Sequence, residues 1–82
     1  MSDGFTPGMI RILRAAQLRA VQVSLFNVYS GDPSFSRNVG SVDEKVILVK
    51  NGFLKKDRTW STHYIITDEG HDILAEIDAI PA

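Results

Sequence analysis

The chain opens with apolar positions at helical spacing. Thr6 and Pro7 suit a helix start, because threonine accepts a hydrogen bond from an unpaired N–H and proline fits the first helical position. The apolar residues that follow recur on one helical face: Ile10, Leu13, Ala16 and Ala20. This pattern predicts a helix over residues 7–19, preceded by a flexible tail over residues 1–5.

The next segment, residues 21–29, fits two interpretations. One is a strand over residues 21–23, followed by a short helix that Ser24 caps. The other is a single strand over the whole segment, because β-branched and aromatic side chains dominate it. Turn-forming residues follow at 31–34 (GDPS), and the chain is predicted to stay irregular as far as Gly40.

The second half carries clearer signals. Ser41 and Glu44 match a capping box, in which each side chain satisfies an exposed N–H beside the other, so a helix is predicted from Ser41 to about Asn51. Gly52 then occupies the position where a left-handed residue ends a helix. Two strands joined by a long loop are predicted next, at residues 53–56 and 63–67.

A last helix begins at Thr67 or Asp68, and acids in its first turn complement the helix dipole. Its apolar face carries Ile73, Leu74, Ile77 and Ile80. Three of these residues are candidates for a homodimer contact, and the alternative is that they close the core: Ile73, Ile77 and Ile80. The elements together predict one α+β domain over residues 6–80.

Two motifs, residues 48–54 (LVKNGFL) and 64–70 (YIITDEG), carry a family resemblance. Their order resembles the winged helix-turn-helix cores of the MarR and PadR groups of regulators. The resemblance implies three main helices with a two- or three-stranded antiparallel wing sheet. It also implies a small double-stranded DNA-binding protein that regulates transcription, with its recognition helix at residues 41–50 in the major groove.

The same resemblance assigns the contacts to DNA. Wing lysines and arginines would reach phosphates or the adjacent minor groove, while Ser41 and Lys45 lie nearest the bases. The full set of implied DNA-binding residues is Arg37, Ser41, Lys45, Lys55, Lys56 and Arg58. Trp60 and His63 are candidate wing-tip contacts, although a loop tryptophan also commonly folds back on the core.

The net charge of the chain and its distribution allow a second interpretation of the function. The formal net charge is −1, whereas dedicated DNA-binding domains are usually basic. Basic residues outnumber acids between Arg37 and Arg58, but the charged residues from Asp68 to Asp78 are all acidic. The alternative is therefore a winged helix that binds a host or regulatory protein instead of DNA, through Trp60 and the hairpin edge or through the acidic helix.

Other classes find little support in the sequence. The chain has no cysteine, and its two histidines lack the spacing of a metal site, so neither a metal nor another cofactor is predicted. No nucleophile, phosphate loop or paired carboxylate set indicates an enzyme. Without a signal peptide or an apolar run long enough for a membrane, a cytoplasmic protein is expected. The size is typical of stand-alone modules in compact prokaryotic or phage genomes.

Overall fold

The computed structural model describes residues 4–32 and 34–79 of the 82-residue chain. These residues form three helices and five strands. The helices are α1 (Pro7–Leu18), α2 (Val42–Lys50) and α3 (Asp68–Ala79), and the strands are β1 (Val21–Ser24), β2 (Asn27–Tyr29), β3 (Asn38–Ser41), β4 (Leu54–Lys56) and β5 (His63–Ile66). The strands make one antiparallel sheet in the order β3-β2-β1-β5-β4. None of the described helices could cross a bilayer.

The predicted winged helix-turn-helix architecture is wrong. The protein is α+β with three helices in the described residues, but its sheet has five strands in place of a wing of two or three. The segment between α1 and α2 supplies three of these strands. As a result, α2 begins directly after β3, and among the described residues no helix stands between α1 and α2 to complete a helix-turn-helix.

Of the two interpretations of residues 21–29, the first is right about a strand over residues 21–23 and wrong about the helix after it, and the single long strand is also wrong, because this segment is a β-hairpin. β1 pairs with β2, with Val23 opposite Val28 and Ser24 opposite Asn27, and only Leu25 and Phe26 remain for the turn. The alternating β-branched residues favour strands, but the turn lacks the Asn-Gly or Asp-Gly pair that normally signals one. The backbone of Leu25 instead adopts a positive φ of 55°.

Residues 38–40, predicted to be irregular, belong to β3. Val39 is buried, and Gly40 pairs with Val28 of β2. A Cβ at Gly40 would lie 2.6 Å from Ile12 Cδ1, so only glycine lets the strand pass this close to α1. The strand therefore depends on partners distant in sequence.

A single described core lies between the helices and one face of the sheet. Val21 and Val28 from the strands pack there with Ile12 of α1, Leu48 of α2 and Leu74 of α3. The opposite sheet face carries a row in which Gln22 of β1 pairs with residues of both neighbouring strands, Tyr29 and His63. Phe5, from the predicted tail, packs its ring 5.7 Å from that of Phe53, whereas residues 1–3 lie outside the described part.

The helix ends follow the predicted capping chemistry. Ser41 Oγ accepts a hydrogen bond from Glu44 N at 3.2 Å, and Glu44 Oε1 accepts from Ser41 N at 2.9 Å. Gly52 has a φ of 84°, which reverses the chain after α2. Thr67 Oγ1 accepts from Gly70 N at 3.0 Å at the start of α3. These contacts are local, so the sequence is sufficient to predict them.

Candidate functional site

Three large apolar side chains are exposed at one end of the sheet. Leu25 and Phe26 in the β1–β2 turn are 86% and 81% exposed, and Trp60 in the β4–β5 loop is 62% exposed. We call these three residues the apolar end. A small soluble protein usually buries side chains of this size, so a group of them left in solvent commonly marks a binding surface.

The pairing of β1 with β5 brings the two segments to the same end. Val23 N donates to Thr62 O at 2.8 Å, which joins the last part of β1 to the loop that carries Trp60. His63 N donates to Trp60 O at 3.0 Å, and the two rings lie 6.0 Å apart. The β1–β2 turn and the β4–β5 loop are therefore neighbours in the fold, although 34 positions separate Phe26 from Trp60 in the sequence.

The β4–β5 loop is held in shape by its own backbone contacts. Asp57 Oδ1 accepts hydrogen bonds from Thr59 N at 2.7 Å and from Trp60 N at 3.3 Å, the pattern of an Asx turn. Asp57 N donates in turn to His63 O at 2.8 Å, which closes the base of the loop. Trp60 is thus presented from an ordered loop, and a partner would not have to organise the backbone on binding.

Helix α2 begins beside the apolar end, since Val42 N donates to Phe26 O at 2.9 Å. Two side chains implied to read DNA bases point elsewhere. The hydroxyl of Ser41 caps the helix, and the Nζ of Lys45 lies 4.6 Å from the centre of the Tyr64 ring on β5. The exposed residues of α2 are mixed in character: Asp43, Val46, Ile47, Val49 and Lys50.

Glu44 connects the starts of two helices. Its carboxylate accepts from Ser41 at the start of α2 and from the hydroxyl of Thr6, which caps α1. Partial burial acts to raise the pKa of Glu44, but the hydrogen bonds from Thr6 and Ser41 outweigh it and hold the pKa below its usual value. This residue therefore serves the fold, and the acid at this position is capping chemistry.

The cations implied to bind DNA do not form one surface. Lys55 and Lys56 are exposed on β4, and Arg58 is exposed in the loop after it. Arg37 precedes β3 at the opposite edge of the sheet, with its guanidinium 5.9 Å from the Phe35 ring. Four strand spacings separate the two edges, which corresponds to about 19 Å.

The remaining predicted contact residues are His63 at the wing tip and the three isoleucines proposed for a homodimer contact. The His63 ring lies beside the Trp60 ring, and His63 Nδ1 lies 3.3 Å from Thr62 Oγ1. Ile73 packs against the core, Ile77 is half-buried, and Ile80 lies outside the described residues. Within residues 4–32 and 34–79 no group of three His, Cys, Asp or Glu side chains could hold a metal ion.

A second feature, which the sequence did not predict, is a cleft between α1 and the described residues between β2 and β3, 30–32 and 34–37. Its volume is about 720 Å³, and four arginines line it: Arg11, Arg14, Arg19 and Arg37. The spacing of Arg11 and Arg14 already places both on one helical face. The loop that completes the cleft could not be positioned without the β2–β3 pairing.

Comparison of the chain with models of known families, with curated proteins and with solved structures gave no match. The features that bear on function are therefore the apolar end, the cations of β4 and the arginine-lined cleft.

Proposed function

We propose that the protein is a protein-interaction module that docks a partner on the apolar end. The supporting observation is the exposure of Leu25, Phe26 and Trp60 together at one end of the sheet. Aromatic side chains such as Phe26 and Trp60 are enriched at the centre of protein interfaces, and tryptophan in particular contributes much of their binding energy. None of the three belongs to the core, so the fold gives them no other use.

The charges beside the apolar end indicate the chemistry of the partner. Lys56 and Arg58 are exposed just before Trp60 in the chain, and no described carboxylate forms an ion pair with either. The acid between them, Asp57, uses its Oδ1 to accept from Thr59 N and Trp60 N within the loop. A partner segment with apolar side chains flanked by acids would cover the apolar end, and its acids would be attracted to Lys56 and Arg58. We therefore propose a peptide-like apolar segment with acidic flanks as the occupant.

A defined peptide library tests this function. Random twelve-residue peptides are selected on the immobilised wild-type protein, and their dissociation constants are measured by fluorescence anisotropy. We expect apolar, acid-flanked sequences whose affinity falls at least tenfold in Phe26→Ala and in Trp60→Ala, equivalent to about 1.4 kcal/mol. The matched control is Leu18→Ala, which removes an exposed leucine elsewhere on the surface.

Two results would contradict the proposal. One is a selection whose peptides bind the Phe26 and Trp60 variants as tightly as the wild type. The other is self-association of the wild-type protein in sedimentation experiments that both variants abolish, because the occupant would then be a second copy of the chain. Circular dichroism spectra of the variants check that their fold is intact.

A second candidate is binding of double-stranded DNA, as expected of a small transcriptional regulator. The observation in its favour is that Lys55, Lys56 and Arg58 are exposed and lack carboxylate partners among the described residues. Such cations can neutralise backbone phosphates, and this contact carries no sequence information by itself. Ser41 and Lys45 are left out of this candidate, because both are engaged within the fold.

Anisotropy titrations with labelled mixed-sequence duplex at two salt concentrations test DNA binding. The double variant Lys55→Glu/Lys56→Glu should weaken binding and reduce the slope of log K against log salt by about 1.8, because each phosphate contact contributes about 0.9. The comparison variant, Arg11→Glu/Arg37→Glu, changes the same number of charges in the arginine-lined cleft, so that binding by the cleft is separated from binding by β4. Equal loss in both variants, or in neither, would exclude β4 as the DNA contact.

A further inference from the structure

The arginine-lined cleft lies apart from the apolar end. The outer face of α1 forms one wall through Arg11, Arg14 and Leu18, and residues that surround β2 and β3 form the other. Its volume of about 720 Å³ is within the range of small-molecule sites. The cleft is thus large enough to take a ligand the size of a nucleotide.

The balance of charge in the cleft is positive. Arg14 forms an ion pair with Asp78 at 2.5 Å, and it is the only Lys or Arg with a carboxylate partner among the described residues. Arg11, Arg19 and Arg37 have no such partner within residues 4–32 and 34–79, and Asp32 is the one acid among the described lining residues. Four arginines face the carboxylates of Asp32 and Asp78, and Arg11 also interacts with the charge of Glu44, so the site keeps an excess of one positive charge.

Asp32 is committed to the loop. Its Oδ1 accepts from Ser34 Oγ at 2.8 Å and from Ser34 N at 2.9 Å. These hydrogen bonds from the Ser34 hydroxyl and backbone, with a smaller effect of the Arg19 charge, lower the pKa of Asp32. The carboxylate therefore stays ionised near neutral pH and shapes the loop, and its single charge offsets only part of the positive charge of the arginines around it.

The apolar part of the lining adds a second recognition element. Leu18 is 87% exposed and Phe35 is 64% exposed, so neither contributes much to the core. The Arg37 guanidinium lies 5.9 Å from the centre of the Phe35 ring. A guanidinium and an aromatic ring at this spacing offer flat surfaces on which a nucleobase can stack.

We propose that this cleft binds a nucleotide, with phosphate oxygens on Arg11 and Arg19 and the base against Phe35 and Arg37. Guanidinium groups match phosphate geometry because they donate paired hydrogen bonds from a planar fork. The aromatic wall favours a nucleotide over inorganic phosphate or a phosphorylated side chain. The same chemistry serves a nucleotide free in solution and a nucleotide within a single strand, and two probes distinguish these sources.

The test uses the full chain and defined probes. Fluorescent mant-ATP, competed by unlabelled ATP, reports the free nucleotide, and a labelled twelve-residue oligothymidylate reports the strand. Arg11→Gln/Arg37→Gln should weaken whichever probe binds by at least tenfold, whereas Lys55→Gln/Lys56→Gln should leave it unchanged. Phe35→Ala should weaken nucleotide binding severalfold while tripolyphosphate competes as before, and Leu25→Ala is its matched control.

Each outcome decides the matter. Stronger binding of mant-ATP than of the oligonucleotide identifies a free nucleotide, and the reverse identifies a strand. Absence of binding by both probes at low salt would overturn the proposal. Equal losses in the arginine and lysine pairs would show non-specific charge attraction, and equal affinity for ATP and tripolyphosphate would overturn the part assigned to Phe35.

Discussion

At the scale of single residues, Leu25 is where the backbone is least suited to its side chain. A positive φ brings the Cβ of an ordinary residue close to its own backbone, and the exposed leucine gains no burial in return. The strain fits a role in binding, since a turn selected for stability alone would carry glycine or asparagine.

We expect Leu25→Gly to stabilise the protein by about 0.5–1 kcal/mol, because relief of the backbone strain exceeds the added entropy of the unfolded chain. Urea unfolding followed by circular dichroism measures the change. The control is Phe26→Gly, whose φ is not positive in the wild type and which should destabilise the protein instead. A loss of stability in Leu25→Gly would mean that the turn is not strained.

The charge of Glu44 is expected to make the stability of the protein depend on pH. The pKa of Glu44 is lowered in the folded protein. Its contribution to the free energy of unfolding is therefore present above the unfolded pKa of about 4.3 and is lost as pH falls through the folded pKa. Glu44→Gln should therefore reduce the free energy of unfolding by about 1 kcal/mol at pH 7, with the difference shrinking below about pH 4.

Denaturant titrations of wild type and Glu44→Gln measure this effect from about one pH unit below the ordinary carboxyl pKa up to neutral pH. Glu76→Gln on the exposed face of α3 is the control, and it should follow the wild type closely. A constant difference between Glu44→Gln and wild type at every pH would show that the charge of Glu44 is not involved.

At the scale of elements, β3 illustrates what the sequence could and could not predict. Caps at Ser41, Gly52 and Thr67 were predictable, because each depends on atoms within a few residues. β3 was not, because its residues gain their order from β2 across a loop and from Ile12 of α1. The β1–β2 turn was missed for a different reason, since Leu25 and Phe26 carry no turn signal.

The close approach of β3 to α1 can be tested directly. Gly40→Ala should destabilise the protein by about 1–3 kcal/mol, because the new Cβ would meet Ile12 Cδ1 at 2.6 Å. In an Ile12→Val background, which lacks that methyl group, the same change should be less harmful. Thermal unfolding of the four proteins in this double-mutant cycle measures the coupling. Additive effects would contradict the observed packing.

The candidate sites also combine features that the sequence could predict with features that it could not. Trp60 and the β4 cations could be singled out from the sequence, because an exposed loop and its charges are local features. Their position at the same end of the sheet as Leu25 and Phe26 could not be predicted, because it follows from the β1–β5 pairing. The arginine-lined cleft likewise requires the helix and the β2–β3 connection to be placed against each other.

At the scale of the whole molecule, charge is distributed unevenly around a nearly neutral chain. The acids concentrate on α3, and one of them, Asp78, reaches across to Arg14 of α1. Both side chains are about half exposed, so this ion pair contributes at most a few tenths of a kcal/mol to stability. Its larger effect is on the cleft, where it occupies one of the four arginines.

Asp78→Asn should therefore leave the unfolding midpoint nearly unchanged and increase the affinity of the cleft for mant-ATP severalfold, because Arg14 becomes available. This expectation rests on the proposed nucleotide site. The control, Asp68→Asn, removes an acid at the other end of α3, about 15 Å along the helix. Equal gains in both variants would indicate a general change in net charge, and no gain in either would mean that Arg14 does not contact the ligand.

The side chains of the apolar end stand outside the interior, and this has an evolutionary consequence. Substitutions at Leu25, Phe26 or Trp60 leave the buried contacts untouched, so lineages can acquire new specificity without passing through misfolded intermediates. Such positions should drift quickly among descendants, while Ile12 and Gly40, which pack against each other, remain fixed together. A scaffold of this kind is a convenient starting point for laboratory selection of new binders.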